Sequence, residues 1–173
     1  IRQIKWPALI VDKALEFERR GQAGARFHRL VQQYLMDIPE RRISQLATAD
    51  PNPHLSVWWD NFLAVIPPLL SGERWIETIL STSLGKHPLV AKYDLILIQD
   101  ESHVMIFDWK TSQNLPKKNW LLGRVQTKVY RFLLAQAGQS LIETQTLDPS
   151  SITMNYWFAA HPKSLIQLPY DQT

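Results

Sequence analysis

Two carboxylates and a lysine stand out because they interrupt the most apolar stretches of the chain. Asp94 precedes the apolar residues 95–98, and Asp108 follows the apolar residues 104–107, with Lys110 two residues further on. Charged groups in such strands cost free energy unless they are paired or coordinated. Two acids beside a lysine suit a divalent metal ion with a phosphate next to it.

The local pattern predicts that these three residues meet on a β-hairpin. Two apolar runs, 89–98 and 103–111, flank a polar turn at 99–102. Because side chains alternate faces along a strand, Asp108 and Lys110 should point the same way, and strand pairing should bring Asp94 to that face. The alternative is a surface hairpin with salt-bridged charges, which contribute little to stability.

Two further residues are candidates for the same site. His28 lies beside the apolar stripe of a helix predicted over residues 25–36, where it is either a hydrogen-bonded boundary residue or a metal ligand. Glu77 lies on a strand predicted over residues 74–84, where it either faces solvent or serves as an acid near the metal. Neither residue identifies a site when it is considered alone.

Gln126 and Tyr130 lie one turn apart on a helix predicted over residues 120–136, so they share a face. They either lie at the boundary between the buried and exposed faces of the helix, or direct hydrogen-bonding groups at the acids or at a nucleic-acid backbone. A basic neighbourhood surrounds this helix and is either a solvated face or a nucleic-acid contact. Its members are Lys117, Lys118, Arg124, Lys128 and Arg131.

Composition limits the classes of protein that remain. The chain has 173 residues, 45% of them hydrophobic, and 19 Lys and Arg against 16 Asp and Glu, which permits an anionic partner without requiring one. It has no cysteine, so disulfides, thiolate zinc sites and cysteine-ligated iron–sulfur clusters are excluded. We find no apolar run long enough to cross a bilayer and no signal peptide, and we expect a cytoplasmic protein. The first residue is Ile1 rather than Met, which is compatible with a fragment of a longer chain.

The predicted elements alternate in a way that favours one mixed sheet flanked by helices, in a single domain over residues 1–173. The segment Gly21-Gln22-Ala23-Gly24 is expected to separate the first two helices. Trp58 and Trp59 are expected to be exposed on a third helix. The predicted helices cover 11–20, 25–36, 55–66 and 120–136, with a loop at 48–53. The predicted strands cover 74–84, 89–98, 103–111, 152–160 and 164–168.

Taken in order, these motifs resemble the PD-(D/E)XK nuclease superfamily, and within it the RecB-like exonuclease branch. The resemblance covers roughly residues 24–138 and implies an α/β fold with a restriction-endonuclease-like mixed sheet. A tyrosine, Tyr93, replaces the family's proline before the first aspartate, and the four cysteines of the iron–sulfur members are absent. The matching motifs are Gly24-Ala25-Arg26-Phe27-His28, Tyr93-Asp94, Asp108-Trp109-Lys110-Thr111 and Gln126-Thr127-Lys128-Val129-Tyr130.

The resemblance also implies roles for individual residues. Lys110 would position the attacking water, and Gln126 and Tyr130 would position the acids and the DNA strand. A Mg²⁺ or Mn²⁺ ion would be bound by four groups, namely His28, Asp94, Asp108 and the main-chain carbonyl of Trp109.

We therefore predict a metal-dependent DNA nuclease without strong sequence specificity, exonuclease-like and acting in repair, recombination or defence. Its substrates would be single-stranded DNA or duplex ends. A nucleic-acid-binding subunit that lacks turnover is the alternative, and a structural domain with a solvated hairpin is the third reading. Trp58 and Trp59 would either stack on unpaired bases or contact a protein partner. The sequence predicts no oligomeric state.

Overall fold

The computed structural model describes residues 8–100, 103–141 and 147–170, with residues 8–20 and residue 140 described as backbone only. Five strands form one sheet in the order of the sequence. The third and fourth strands are parallel, and the other neighbours are antiparallel. The strands are β1 (Glu73–Leu84), β2 (His87–Asp100), β3 (His103–Lys110), β4 (Ile152–Phe158) and β5 (Leu165–Pro169).

Helices cover both faces of this sheet, which confirms the predicted α/β class with a mixed central sheet. Alternation along β2 and β3 sends Leu95 and Phe107 towards the three N-terminal helices, and Ile96 and Ile106 towards the C-terminal helices. These inner strands are apolar on both sides because both sides are covered. The helices are α1 (Ala8–Leu35), α2 (Glu40–Ala49), α3 (Pro53–Val65), α4 (Lys118–Gly123) and α5 (Val125–Ala137).

The first helix is continuous, so the prediction that the segment Gly21-Gln22-Ala23-Gly24 interrupts it was wrong. A glycine within a helix costs only about 1 kcal/mol relative to alanine, and the packing of α1 against the sheet offsets that cost. Phe27, Val31 and Leu35 on this helix are buried. The site-bearing residue His28 therefore lies on a long, well-anchored helix.

The prediction that Trp58 and Trp59 are exposed was also wrong. Their side chains are 4% and 1% accessible. Both belong to a buried stripe at helical spacing that continues through Phe62, and Trp59 Nε1 donates a hydrogen bond to Ser44 Oγ at 2.9 Å. The stripe faces α1 and the sheet, so these indoles build the core rather than an outer surface.

The helices differ from the predictions at two further places. The helix predicted over residues 120–136 is two helices, because Arg124 is extended (φ −68°, ψ 140°) between α4 and α5. The Thr127 hydroxyl donates to the Leu121 carbonyl at 2.6 Å and holds this break. Helix α2 was not predicted, since only Ile43 and Ala47 on it are buried, and it includes Thr48 and Ala49 from the predicted loop.

The β2–β3 hairpin is confirmed, although Glu101 and Ser102 of its predicted turn lie outside the described residues. None of the helices in the part of the chain that the structure describes is long and apolar enough to span a membrane.

Candidate active site

The candidate site lies where β2 and β3 stop pairing, at a point we call the fork, formed by Asp94 on β2 and Trp109 on β3. Main-chain pairing of the two strands extends to Leu95 opposite Phe107. Beyond that pair, the Asp94 side chain takes the place of a main-chain acceptor, and its Oδ2 accepts a hydrogen bond from Trp109 N at 2.9 Å. The fork thus fixes a carboxylate at the end of a buried hairpin.

The other oxygen of Asp94 faces helix α1. His28 Nδ1 lies 3.3 Å from Asp94 Oδ1, and the two side chains are 33% and 19% accessible. Burial lowers the pKa of His28, but the hydrogen bond and the negative charge of Asp94 outweigh this, so the pKa lies above its usual value. The structure therefore brings His28 next to Asp94.

Asp108 is more deeply buried, at 4% accessible. Its Oδ1 accepts a hydrogen bond from Gln126 Nε2 at 2.5 Å, and its Oδ2 forms an ion pair with Lys110 Nζ at 2.5 Å. Burial raises the pKa of the Asp108 carboxyl, the charge of Lys110 acts against this, and the charge of Asp94 acts with it. The carboxylate is thus held in an environment that disfavours its negative charge.

Helix α5 supports the site from the other side of the sheet. Gln126, near its start, also accepts a weak hydrogen bond from Lys110 Nζ at 3.4 Å. The Tyr130 hydroxyl donates to the Lys92 carbonyl at 2.7 Å, and the Tyr93 hydroxyl donates to the Tyr130 carbonyl at 2.8 Å. Tyr130 therefore holds the main chain of β2 just before Asp94 and does not itself hydrogen-bond an acid.

Glu77 lies close to the fork on the neighbouring strand. It lines a cavity of about 450 Å³ together with His28 and Asp94. Its main chain has a positive φ of 52°, which is uncommon for a residue other than glycine, and its carboxylate forms an ion pair with Lys92. This position is compatible with the predicted acid near the metal.

The predicted basic residues do not share one environment. Lys117, Lys118 and Lys128 are exposed, and the Arg124 guanidinium lies 4.7 Å from the centre of the Trp120 ring. Arg131 is buried, and its Nη1 donates to the Pro169 carbonyl at 2.8 Å. That burial does not fit the predicted nucleic-acid surface, because the guanidinium ties α5 to β5.

Two supporting contacts were missed by the sequence analysis. The Tyr156 ring lies 5.6 Å from Lys110 Nζ, and its hydroxyl lies 2.8 Å from the Thr127 hydroxyl. The strand carrying Tyr156 was predicted, but its parallel pairing with β3 was not. A Cβ atom on Gly24 would lie 2.9 Å from Thr111 Oγ1, so the glycine lets α1 approach the residue after Lys110. Gly24 and Thr111 each belong to a motif that the sequence analysis identified, but their contact was not predicted.

The donor set suits a hard divalent ion, although the side chains are not gathered around one point. Within residues 21–100, 103–141 and 147–170, no three His, Asp or Glu side chains converge closely enough to form a metal site. The carboxylates are instead engaged by Trp109 N, Lys110 and Gln126. Asp108 Oδ2 is buried and meets Lys110 Nζ without a hydrogen bond of regular geometry, so this oxygen retains capacity to bind an ion. One imidazole and two carboxylates fit Mg²⁺ or Mn²⁺.

Comparison with known proteins identifies the family of the chain. The curated proteins and the solved structures gave no match to the chain. The family model of the PD-(D/E)XK nuclease superfamily matches residues 3–172. That match covers nearly the whole chain, including the fork, Lys110 and helix α5. The chain therefore belongs to the PD-(D/E)XK nuclease superfamily.

Proposed function

We propose that this chain is a Mg²⁺- or Mn²⁺-dependent deoxyribonuclease of the RecB-like branch, in one domain over residues 1–173. The observation that carries the proposal is the fork itself. It brings Asp94 to His28, and one residue beyond Trp109 it places Lys110 against the buried Asp108. A lysine and two differently held acids at the end of one hairpin can supply the metal binding and charge stabilisation that catalyse hydrolysis of a phosphodiester.

The site residues have different proposed roles. His28, Asp94, Asp108 and the Trp109 carbonyl would hold the ion, which when bound polarises the scissile phosphate and lowers the pKa of a water molecule. Lys110 is 27% accessible in its side chain, so its ammonium group can reach a phosphate as well as Asp108. There it would orient the attacking water and offset the negative charge that develops in the transition state.

Two residues of α5 act through others and are positioning residues. Gln126 fixes the orientation of Asp108 through a hydrogen bond. Tyr130 fixes the main chain of β2 through the Lys92 carbonyl. Both contacts keep the two acids at a constant separation, which a site that binds one ion needs.

DNA is the proposed substrate, and its phosphates rather than its bases would supply most of the affinity. The exposed Lys117, Lys118 and Lys128, with Arg124, form the proposed contact surface. Phosphate contacts carry no sequence information, so we propose cleavage without strong sequence specificity. The RecB-like motifs support exonuclease action in repair, recombination or defence.

A nucleic-acid-binding domain without turnover is the second candidate. One observation favours it, namely that the ligand side chains among the described residues are engaged with protein donors rather than gathered for an ion. Retention of Lys110 and both acids favours the nuclease.

One assay separates these functions. Single-stranded, blunt duplex and covalently closed circular DNA would each be incubated with Mg²⁺, with Mn²⁺ and with excess chelator. We expect linear DNA to be degraded in either metal and to remain intact in chelator, with the circle resistant if the action is exonucleolytic. Binding without cutting in every metal would support the second candidate, and undiminished cutting in chelator would rule out the metal mechanism.

A further inference from the structure

A second cavity opens beside the fork, and most of its lining differs chemically from the acidic site. Its volume is about 530 Å³, within the range of small-molecule sites. His28 and Lys110 stand on its wall, so it is continuous with the proposed active site. Away from those two residues, its described lining contains no carboxylate, lysine or arginine. Beyond His28, Trp109 and Lys110, this cavity, which we call the side cavity, therefore offers aromatic and neutral polar groups rather than ligands for a phosphate or a metal ion.

Aromatic rings form one wall of the side cavity. The His54 imidazole stacks on the Trp58 indole with ring centres 5.7 Å apart and planes 16° from parallel. Trp58 is 4% accessible and is held from below by Phe27, whose ring centre lies 6.1 Å away. Trp58 is buried beneath the stack, whereas His54 is exposed and lines the cavity. The stack is a fixed platform that ends in an accessible flat ring.

Hydrogen bonds between main-chain and side-chain atoms hold the platform and the segment after Lys110 in place. His54 is near the start of α3, where its amide donates to Asn52 Oδ1 at 3.0 Å. The lining residues after Lys110 are anchored by the Gln113 carbonyl, which lies 2.7 Å from His161 Nε2. Both parts of the lining therefore belong to well-defined regions of the fold.

Neutral polar groups complete the lining. Asn52, Gln113 and Asn114 line the cavity, and their amides present both hydrogen-bond donors and acceptors. A flat aromatic face together with amide edges is the chemistry that recognises a nucleobase, since bases stack on aromatic rings and pair through their edges.

We propose that the side cavity binds one unpaired nucleobase next to the scissile phosphate, with the base stacked on His54. A base within a duplex is stacked and paired on its own strand, so it cannot enter a side cavity without being extruded. The site therefore selects single-stranded DNA or frayed duplex ends, which narrows the substrate class of the proposed nuclease. This inference rests on the proposed function.

Oligonucleotide binding tests the side cavity without turnover. In the Asp108→Asn background with Mg²⁺, fluorescence anisotropy would give the Kd for a short single-stranded DNA and for a blunt duplex. His54→Ala should weaken single-strand binding about tenfold, within the usual effect of losing one aromatic stack on a base. His54→Phe should restore most of the affinity, because it keeps a flat ring. The matched control is His87→Ala, an exposed histidine at the start of β2, which should leave Kd unchanged.

An abasic scan makes the result independent of any folding defect in the variants. An abasic site at one position of the DNA should raise the Kd of the Asp108→Asn protein. The same abasic site should not change the Kd further when His54→Ala is also present. If neither the abasic sites nor His54→Ala changes Kd while wild type still cuts DNA, the base site is wrong and the nuclease function stands. If His54→Ala weakens the blunt duplex as much as the single strand, base selection is likewise wrong. If wild type neither binds nor cuts any DNA, both proposals fail.

Discussion

The two ends of the β2–β3 hairpin carry the same chemical pair in different surroundings. At the turn, His103 Nδ1 lies 2.9 Å from Asp100 Oδ1, and their side chains are 67% and 58% accessible. At the fork, His28 Nδ1 lies 3.3 Å from Asp94 Oδ1, with 33% and 19% accessible. The turn pair has the closer contact, so a short distance between an acid and a histidine does not identify a site.

The difference lies in what surrounds each pair. The turn pair joins residues three apart in an exposed segment, where solvent screens the interaction and the stabilisation is small. The fork pair joins a helix to a strand from distant parts of the chain, and it lies near Asp108 and Lys110. The pKa values of both His28 and Asp108 lie above their usual values, for different reasons. Burial raises the pKa of Asp108, whereas burial lowers the pKa of His28 and the neighbouring acids outweigh that effect.

The largest difference in cutting rate should come from replacing the acid at each end of the hairpin by asparagine. Asp94→Asn should remove detectable cutting, because it takes away a proposed ligand and weakens the contact to His28. Asp100→Asn changes an equivalent residue at the turn and should leave the rate close to that of wild type. The measurement is the initial rate of single-strand degradation in Mn²⁺. Equal losses in the two variants would mean that the fork has no special role.

Lys110→Ala should reduce kcat by about 100- to 1,000-fold, the usual loss for one group that stabilises the transition state. Metal binding and most of the DNA affinity should remain, because one phosphate contact is a small part of a backbone-dominated affinity. Lys86→Ala, at the exposed β1–β2 turn, is the control. Single-turnover cleavage and anisotropy would separate the two effects, and a wild-type rate in Lys110→Ala would remove it from the mechanism.

His28→Ala should weaken Mn²⁺ binding by at least about tenfold, since the loss of even a residue that only supports a metal ligand costs that much. His103→Ala removes the histidine of the turn pair and should have no effect on metal affinity. Calorimetric titration of both variants checks this. If the two titrations match that of wild type, His28 is a structural partner of Asp94 and not a ligand.

The smallest effect concerns the helix that carries His28. Gly24→Ala would place a Cβ atom 2.9 Å from Thr111 Oγ1, so the threonine or α1 must shift, and we expect a several-fold slower rate. Gly21→Ala on the same helix has no described heavy atom within 4 Å and should stabilise the fold by about 0.5–1 kcal/mol without slowing cutting. Denaturant melts and rates for both variants are the measurement. A slower rate in Gly21→Ala alone would contradict this role for Gly24.

The sequence predicted what depends on local pattern. Alternating apolar residues located β2 and β3, and the acids at their ends located the fork, because buried charges are uncommon. The predicted mixed sheet flanked by helices is confirmed. The roles of the site residues, the metal and the substrate stay predictions.

What the sequence could not predict depends on contacts between distant segments. The parallel pairing of β3 with β4 places Tyr156 opposite Asp108, and no local pattern encodes that choice of partner. Trp58 has the spacing of a buried stripe, but its burial depends on α1 and the sheet being on that side. The break at Arg124 depends on Thr127 reaching back to Leu121.

Melting curves in excess chelator and in Mn²⁺, for wild type and Asp108→Asn, test most directly whether the buried acid is there to bind metal. Burial raises the pKa of Asp108, so its ionised form at neutral pH costs the folded state free energy relative to the unfolded state. Without metal, Asp108→Asn should be as stable as wild type or slightly more so. With Mn²⁺ at about 100 times its Kd, wild type should gain about 2.7 kcal/mol, or about 5–10 °C in Tm, and the variant should gain little. No metal-dependent rise in wild type, or strong destabilisation of the metal-free variant, would show that Asp108 is a structural ion-pair residue and would contradict the account.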